Sequence, residues 1–352
     1  MRRYFFSIIR GTKQDISSQF FRAFLFLLSF IYGWILSVRR FLYATHVFSP
    51  KHLPLPVISI GNLTWGGTGK TPFVMELANR VQFLGKNPAV ISRGYGSDEW
   101  KEISANLPQV RVGIGKNRGR VASSLLAGGP VDVMICDDAF QHWALYRDWE
   151  IVLINAARPF GNGFLIPRGE LRELPSELGK AQTIILTHGD QVSSDQLASL
   201  RGKLLSLAPK ADLIEAIHEP LFFYRASSKE KRSLESFRGV SAIALSAIGS
   251  PESFVGNLRN LGLDVKKSFE FPDHHLFTEK DLADVRHDRD KSSIQITVTT
   301  EKDLYRGAES LVRVLDPWVL KVKMKIVKGD EIILKRLRSL LGIPVPKERV
   351  YA

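Results

Sequence analysis

Hydrophobic positions follow two different regimes along the chain. Residues 23–38 (AFLFLLSFIYGWILSV) form an uncharged run of 16, bounded by Arg22 on one side and by Arg39 and Arg40 on the other. As a helix it would be about 24 Å long, short of a ~30 Å hydrocarbon core. No small-x-small cleavage site follows it, so it does not read as a signal peptide. Basic residues stand on both sides: Arg2, Arg3, Arg10 and Lys13 before it, Arg39, Arg40 and Lys51 after it. Spanning helices carry positive charge asymmetrically. Symmetric basic flanks favour a helix that lies at, or dips into, an anionic membrane surface. A buried helix of a soluble domain and a single span are the alternatives.

Beyond this run, short apolar β-branched stretches alternate with helical spacing. Strands are predicted at 56–60, 88–91, 110–114, 131–136, 150–155 and 183–187, and helices at 71–84 and 118–127. A second set has strands at 241–246, 265–271, 294–300 and 318–324, and helices at 251–261, 278–287 and 331–341. Fully apolar short strands separated by helices indicate parallel sheets covered on both faces. The polar stretch 227–238 (SSKEKRSLESFR) separates the sets. The expected organisation is a membrane-associated helix region at 1–48, an α/β/α domain at 49–226 and a smaller α/β domain at 227–352.

With 352 residues the chain is long enough for two cores. The 49 Lys and Arg against 36 Asp and Glu leave a net charge of +13, which favours an anionic partner such as lipid or a phosphorylated substrate. Nucleic acid is not expected, because no helix-turn-helix, finger spacing or stacking platform appears. No protein partner is evident. The single cysteine, Cys136, excludes an intrachain disulfide and reads as a core hydrophobe.

Chemistry concentrates at two strand ends. Residues 61–72 (GNLTWGGTGKTP) follow a predicted strand and open a predicted helix, the setting of a phosphate loop. The backbone at Gly66, Gly67, Thr68 and Gly69 turns its N–H groups toward a phosphate. Lys70 reaches the transferring phosphoryl group, and the Thr71 hydroxyl suits Mg²⁺. Thr64 stands where the first glycine of the pattern usually falls. The first domain is therefore predicted to be a phosphate-loop NTPase-like parallel sheet that binds ATP with Mg²⁺. The second strand end, 133–142 (VMICDDAFQH), closes on Asp137 and Asp138, adjacent carboxylates of which one can face a metal. Asp138 is the expected ligand, with Glu173 as a further candidate.

These blocks, with 92–96 (SRGYG), 158–173 (RPFGNGFLIPRGELRE), 271–277 (FPDHHLF) and 299–303 (TTEKD), resemble the tetraacyldisaccharide 4′-kinases of lipid A biosynthesis over most of the chain. The resemblance implies two α/β domains with the active site between them. It implies transfer of the ATP γ-phosphate to the 4′-hydroxyl of an acylated glucosamine disaccharide 1-phosphate, giving lipid IVA. It also implies residence at the cytoplasmic face of the inner membrane of a Gram-negative bacterium. By the same resemblance Asp98 is the base that accepts the hydroxyl proton, oriented by His274, with Lys70 and Asp138 completing the catalytic set. Asn62, Arg93, Gln141, His142, Arg168 and Arg172 are implied in substrate binding. The chain departs from the family pattern twice. Ala139 replaces the usual glycine after the paired aspartates. Residues 97–100 (SDEW) follow Gly96 directly, where the family places a Gly-Asp-Glu-Pro stretch farther downstream.

Overall fold

Five of the short apolar runs become strands buried at every position: β1 (Val57–Asn62), β2 (Pro88–Ser92), β4 (Val133–Asp137), β5 (Trp149–Asn155) and β6 (Thr183–Thr187). Burial on both faces is what a helix-covered parallel sheet demands. The computed structural model describes residues 15–94 and 98–344, without the side chains of Ile16 and Asp98. Arg2, Arg3, Arg10, Lys13 and residues 95–97 therefore lie outside the described residues, as does the Asp98 carboxylate.

The remaining strands are β3 (Arg111–Ile114), β7 (Asp212–Arg225), β8 (Lys231–Arg232), β9 (Ser241–Ser246), β10 (Asp264–Glu270), β11 (Ile296–Thr300) and β12 (Trp318–Lys328). One sheet holds them all, in the order β10-β9-β11-β12-β7-β6-β5-β1-β4-β2-β3, with β8 on β7. Neighbours are parallel except at β7–β12 and β7–β8, which are antiparallel. β7 joins the two predicted sets: Asp212–Ala216 pairs with β6, while the strand pairs along its length with β12. The stretch at 227–238 begins just beyond its end.

Helices α2 (Lys70–Phe83), α3 (Asp98–Asn106), α4 (Arg118–Ala127) and α5 (Ser194–Leu207) belong to the first set. Helices α6 (Pro251–Asn260), α7 (Glu279–Lys291) and α8 (Glu301–Val314) belong to the second. The last helix, α9 (Asp330–Leu340), returns to the first: Ile333 and Leu337 share a core with Ile58, Ile60, Phe73 and Leu77. Cys136 is fully buried, packed with Met134 and Ala139.

The N-terminal helix α1 spans Ile16–Ala44, 29 residues and roughly 44 Å. It outruns the apolar stretch because Arg39 and Arg40 continue it, each paired with a glutamate, Glu173 and Glu177. Leu25 and Leu36 are buried, whereas Phe20, Phe24, Phe30, Trp34 and Phe41 are each more than half exposed. A helix packed inside a soluble core does not leave its aromatic side chains in water.

Candidate active site

Because β1 to β6 run parallel, the loops after them gather along one edge of the sheet. The phosphate loop leaves β1 there and enters α2. Gly69 is the residue before the helix, with φ of 84°, a backbone conformation that favours glycine. A side chain there would also strike Met324 and His218 on β12 and β7. The loop is braced from beneath: Asn62 Nδ2 donates to the carbonyl of Thr64 (2.7 Å) and to Thr68 Oγ1 (3.1 Å), Thr187 Oγ1 to the carbonyl of Thr68 (3.1 Å), and Asn155 Nδ2 to that of Gly67 (3.3 Å). Bonds that fix its carbonyls set the orientation of its N–H groups. Asn62 thus serves the loop, and its fully buried side chain faces the phosphate loop from within.

Asp138 stands across from Lys70, 3.5 Å from Nζ, and accepts a bidentate pair from Arg172 (2.7 and 3.0 Å). Burial opposes its charge, but Lys70 and Arg172 hold it well below the usual carboxylate range. Asp138 also adopts φ of 48°, an unfavourable conformation for a non-glycine residue of the kind that concentrates at functional sites. Its neighbour Asp137 differs in every respect. It is 1% exposed, and neither carboxylate oxygen has a hydrogen-bond partner. Burial, reinforced by Glu99, pushes its acid up to about 7 against the pull of Lys70. Alternation along the strand end turns the two carboxylates to different surroundings. Asp138 is engaged by two cations, and Asp137 is the carboxylate left with open oxygens beside the phosphate loop. Glu173, the other metal candidate, is bound by Arg39 of α1. Ala139 fits without strain: it is buried and donates its N–H to the carbonyl of Ile60 (3.0 Å).

The 164–173 segment is seated on α1. Ser29 Oγ donates to the carbonyl of Leu165 (2.7 Å) and accepts from the N–H of Arg168 (2.9 Å), while Tyr32 donates to the carbonyl of Arg172 (3.0 Å). Arg168 lies over the Phe164 ring at 4.6 Å. The amphipathic helix therefore holds the loop that supplies Arg172 to Asp138. Gln141 donates to the carbonyl of Asn62 (3.0 Å), and His142 is half-buried, its acidity set by burial and by Arg118, Arg147 and Arg93, which push its pKa down to about 4. Arg93 is exposed beside them.

The second set closes the edge from the other side. A Cβ on Gly249 would fall 2.1 Å from the N of Gly67, so only glycine permits that approach. The 247–250 loop is fixed by Asp303, which accepts from the N–H of Ala247 (3.1 Å), and by Arg306, which donates to the carbonyls of Ala247 (2.9 Å) and His275 (3.2 Å). Asp303 is fully buried, so the 299–303 block acts by holding loops. His274 follows, with φ of 62° and its N–H donated to the carbonyl of Ala247 (3.2 Å). His275 is a packing residue, stacked on Phe271 and bonded to Asp281 (2.8 Å). Lys302 lies 3.6 Å from Glu99 and 3.4 Å from Asp273. It ties α3, which begins at Asp98, to the loop of His274.

Sequence reasoning missed Arg118, Arg39 and Tyr32. Arg118 donates to the carbonyls of Asp137 (2.6 Å) and Asp138 (2.7 Å) and so shapes the turn that parts the two aspartates. Its signal was available: an arginine in the first turn of a predicted helix whose first turn has no acid.

Comparison with known proteins identifies the family. The family model described as Tetraacyldisaccharide-1-P 4′-kinase matches residues 21–106 and 98–341. A tetraacyldisaccharide 4′-kinase of Anaeromyxobacter sp. (strain K) is 33% identical over 336 residues, covering 88% of this chain and 89% of its own. A probable mitochondrial tetraacyldisaccharide 4′-kinase of Arabidopsis thaliana is 32% identical, covering 85% and 84%. The crystal structure of LpxK from Aquifex aeolicus in complex with ATP superposes with a TM-score of 0.66 at 26% identity, over 91% of this chain and 99% of that one. With its phosphate loop, its paired aspartates and this extent of match, the chain belongs to the tetraacyldisaccharide-1-P 4′-kinase family.

Proposed function

We propose that this chain transfers the γ-phosphate of ATP to the 4′-hydroxyl of an acylated glucosamine disaccharide 1-phosphate, at a membrane surface. The observation that carries the reading is the Lys70–Asp138–Arg172 cluster at the mouth of a braced phosphate loop. Two cations share one carboxylate at 3.5 and 2.7 Å. Both are positioned to turn to a phosphoryl group when a nucleotide enters, and charge aimed at a transferring phosphoryl group is the main catalytic device of this reaction class.

The residues present fit Mg²⁺. Asp137 offers a buried carboxylate with two open oxygens, and Thr71 lies in the first turn of α2 beside Lys70. A hydroxyl, one carboxylate and nucleotide oxygens suffice for this ion, which keeps several waters. Bound there, Mg²⁺ would neutralise charge on the phosphate oxygens.

The acceptor hydroxyl is a weak nucleophile at neutral pH and needs a base. Asp98 takes that role, with His274 as its orienting partner. Lys302 supports this pairing by linking Glu99, next to Asp98, with Asp273, next to His274. Arg168, Arg93, Gln141 and His142 line the acceptor side. The exposed aromatic face of α1 lies at the membrane, and its opposite face positions the 164–173 segment. A lipid substrate is thereby presented where the helix meets the site. In a Gram-negative cell that surface is the cytoplasmic face of the inner membrane, where ATP is available.

The test is transfer of labelled γ-phosphate from ATP to purified tetraacyldisaccharide 1-phosphate in detergent micelles. Magnesium-dependent formation of the 4′-phosphorylated product supports the reading. ATP hydrolysis without acceptor labelling overturns it.

A further inference from the structure

Helix α3 begins at Asp98 and is held from two directions. Ile103 and the following Leu107 pack into the core of the first set with Ile58, Phe73 and Leu77. Glu99, Glu102 and Asn106 follow the i, i+3, i+7 spacing of one helical face, and this polar face meets the second set.

Two lysines make that contact. Lys302 of α8 pairs with Glu99 near the start of the helix (3.6 Å). Lys321 of β12 reaches the other end, where Nζ donates to Asn106 Oδ1 and to Glu301 Oε2 (2.7 Å). The other oxygen of Glu301 accepts from the Tyr224 hydroxyl of β7 (3.1 Å). Asn106 Nδ2 donates to the carbonyl of Glu102 (2.9 Å), which turns its amide oxygen to Lys321. A continuous run of polar contacts thus leads from β7 through Glu301 and Lys321 into α3.

Lys321 differs from its neighbours on the strand. Lys323 and Lys325 are half-exposed and both pair with Glu219, whereas the Lys321 side chain is 17% exposed. Lys321 stands opposite Phe222 and Val322 opposite Pro220, so Leu221 is passed over in the pairing. Irregularities of this kind re-aim side chains. Five strands separate β12 from β2, the strand before α3, so the contact is no by-product of strand pairing.

The charges here are unequal. Three carboxylates, Glu99, Glu102 and Glu301, face the ammonium groups of Lys302 and Lys321, with Tyr224 and Tyr305 beside them and Asp273 on the far side of Lys302. Burial and then Glu301 push the Glu102 acid up to about 8, against the pull of Lys302 and Lys321. Glu102 therefore keeps its proton at neutral pH, which leaves Glu301 to Lys321. Contacts between buried polar groups are specific in direction, because a partner left unpaired is costly.

We propose that Lys321 is a positioning residue for the phosphoryl transfer. By joining Glu301 to Asn106 it fixes the helix that carries Asp98, so the second set of elements helps to place the base. This rests on the reading of Asp98 as the base of a kinase.

The test compares Lys321→Arg, Lys321→Met and Asn106→Ala with wild type, each alone and combined with Asp98→Asn. The measurements are kcat, the KM for ATP, Tm, and amide hydrogen exchange along α3. Lys321→Met should lower kcat by ~10- to 100-fold, the scale for displacing a reacting group by about 1 Å, with the KM for ATP unchanged. Lys321→Arg should recover most of this loss. Asn106→Ala spares the buried Lys321–Glu301 pair and should show a smaller loss of the same kind. Combined with Asp98→Asn, neither Lys321→Met nor Asn106→Ala should reduce kcat further, because the group being positioned is gone. An undiminished further loss there would overturn the proposal, as would wild-type kcat in both single variants. If Lys321→Met does not fold, Asn106→Ala with and without Asp98→Asn decides the same question. If wild type transfers no phosphate, or Asp98→Asn keeps full kcat, the underlying reading fails and the catalytic role falls with it. Hydrogen exchange separates that failure from a failure of the contact itself: faster exchange confined to α3 shows that Lys321 holds the helix, and unchanged exchange shows that it does not.

Discussion

Arg39 on α1 and Glu173 at the end of the 164–173 segment form an ion pair of 2.5 Å, in which the Glu173 side chain is 2% exposed. Arg39 also covers the Trp143 ring at 4.4 Å. Burial pushes the Glu173 acid up, and Arg39 opposes that shift. The helix thus controls a charged group one residue from Arg172. Arg39→Ala leaves a carboxylate buried and uncompensated, which costs up to about 3 kcal/mol and loosens the loop. The expected outcome is a higher KM for the lipid acceptor with the KM for ATP unchanged. The double variant with Glu173→Gln should be more stable than Arg39→Ala alone, because the orphaned charge is gone. Additive losses in thermal denaturation would show that the pair is not coupled.

Lys70 is proposed to meet the transferring phosphate, and in the structure its partner is Asp138. Lys70→Ala should lower kcat by ~10²–10³-fold, the scale for losing one preorganised electrostatic contact. Arg172→Lys keeps the charge but loses the two-pronged geometry seen at 2.7 and 3.0 Å, and should retain only part of the activity. A folded Lys70→Ala enzyme with wild-type turnover would remove Lys70 from the chemistry.

The parallel core and the phosphate loop were legible because their signals are local: apolar runs of strand length, and Gly69-Lys70-Thr71 at a strand-to-helix junction. β7 was not, since Pro220 lies inside it and proline argues against a strand interior. The structure accommodates it at an irregularity in the pairing with β12, between Lys321 and Val322. The α5 helix did carry a readable signal, the Ser193/Gln196 capping box, which the apolar spacing did not reveal. The separate fates of Asp137 and Asp138 were illegible for a different reason. They depend on Arg172 and Arg118, which approach from distant segments. The same holds for Arg39, whose partner Glu173 is far along the chain.

Asp137 gives a pH-dependent prediction. Its folded-state pKa, raised to about 7, exceeds the unfolded value of about 3.9. Between those values the unfolded chain has released a proton that the folded protein retains, so the nucleotide-free protein loses stability as pH rises through this window. Asp137→Asn should flatten this fall and raise Tm at about pH 8 more than at about pH 5. The same variant should require far more Mg²⁺ for ATP binding. An unchanged Mg²⁺ titration in Asp137→Asn would place the ion elsewhere.

For the base, Asp98→Asn should lower kcat by ~10²–10⁴-fold with little change in the KM for ATP. If His274 acts through Asp98, the double variant should be little worse than the poorer single variant. Lys302→Ala, which removes the contacts to Glu99 and Asp273, should reduce kcat less than either. Retained activity in Asp98→Asn together with loss in Glu99→Gln would move the base one residue along α3.

The exposed face of α1 sets the last expectation. Phe20, Phe30, Trp34 and Phe41 are between 64% and 75% exposed, an apolar surface that water would not leave uncovered. Replacing Phe30 and Trp34 by glutamate adds charge on the face proposed to meet lipid and leaves the inward contacts of Ser29, Tyr32 and Arg39 in place. Vesicle binding should fall steeply, whereas activity on acceptor dispersed in detergent should largely survive. The basic residues beside the helix add a second, distinguishable contribution. Binding of the wild-type protein should rise with anionic lipid and fall with salt, because exposed charges are screened beyond ~8 Å at physiological ionic strength. The glutamate variant should keep the salt dependence at reduced affinity. If instead the glutamate variant binds vesicles as tightly as wild type, the aromatic face does not enter the membrane and the basic flanks alone hold the enzyme there.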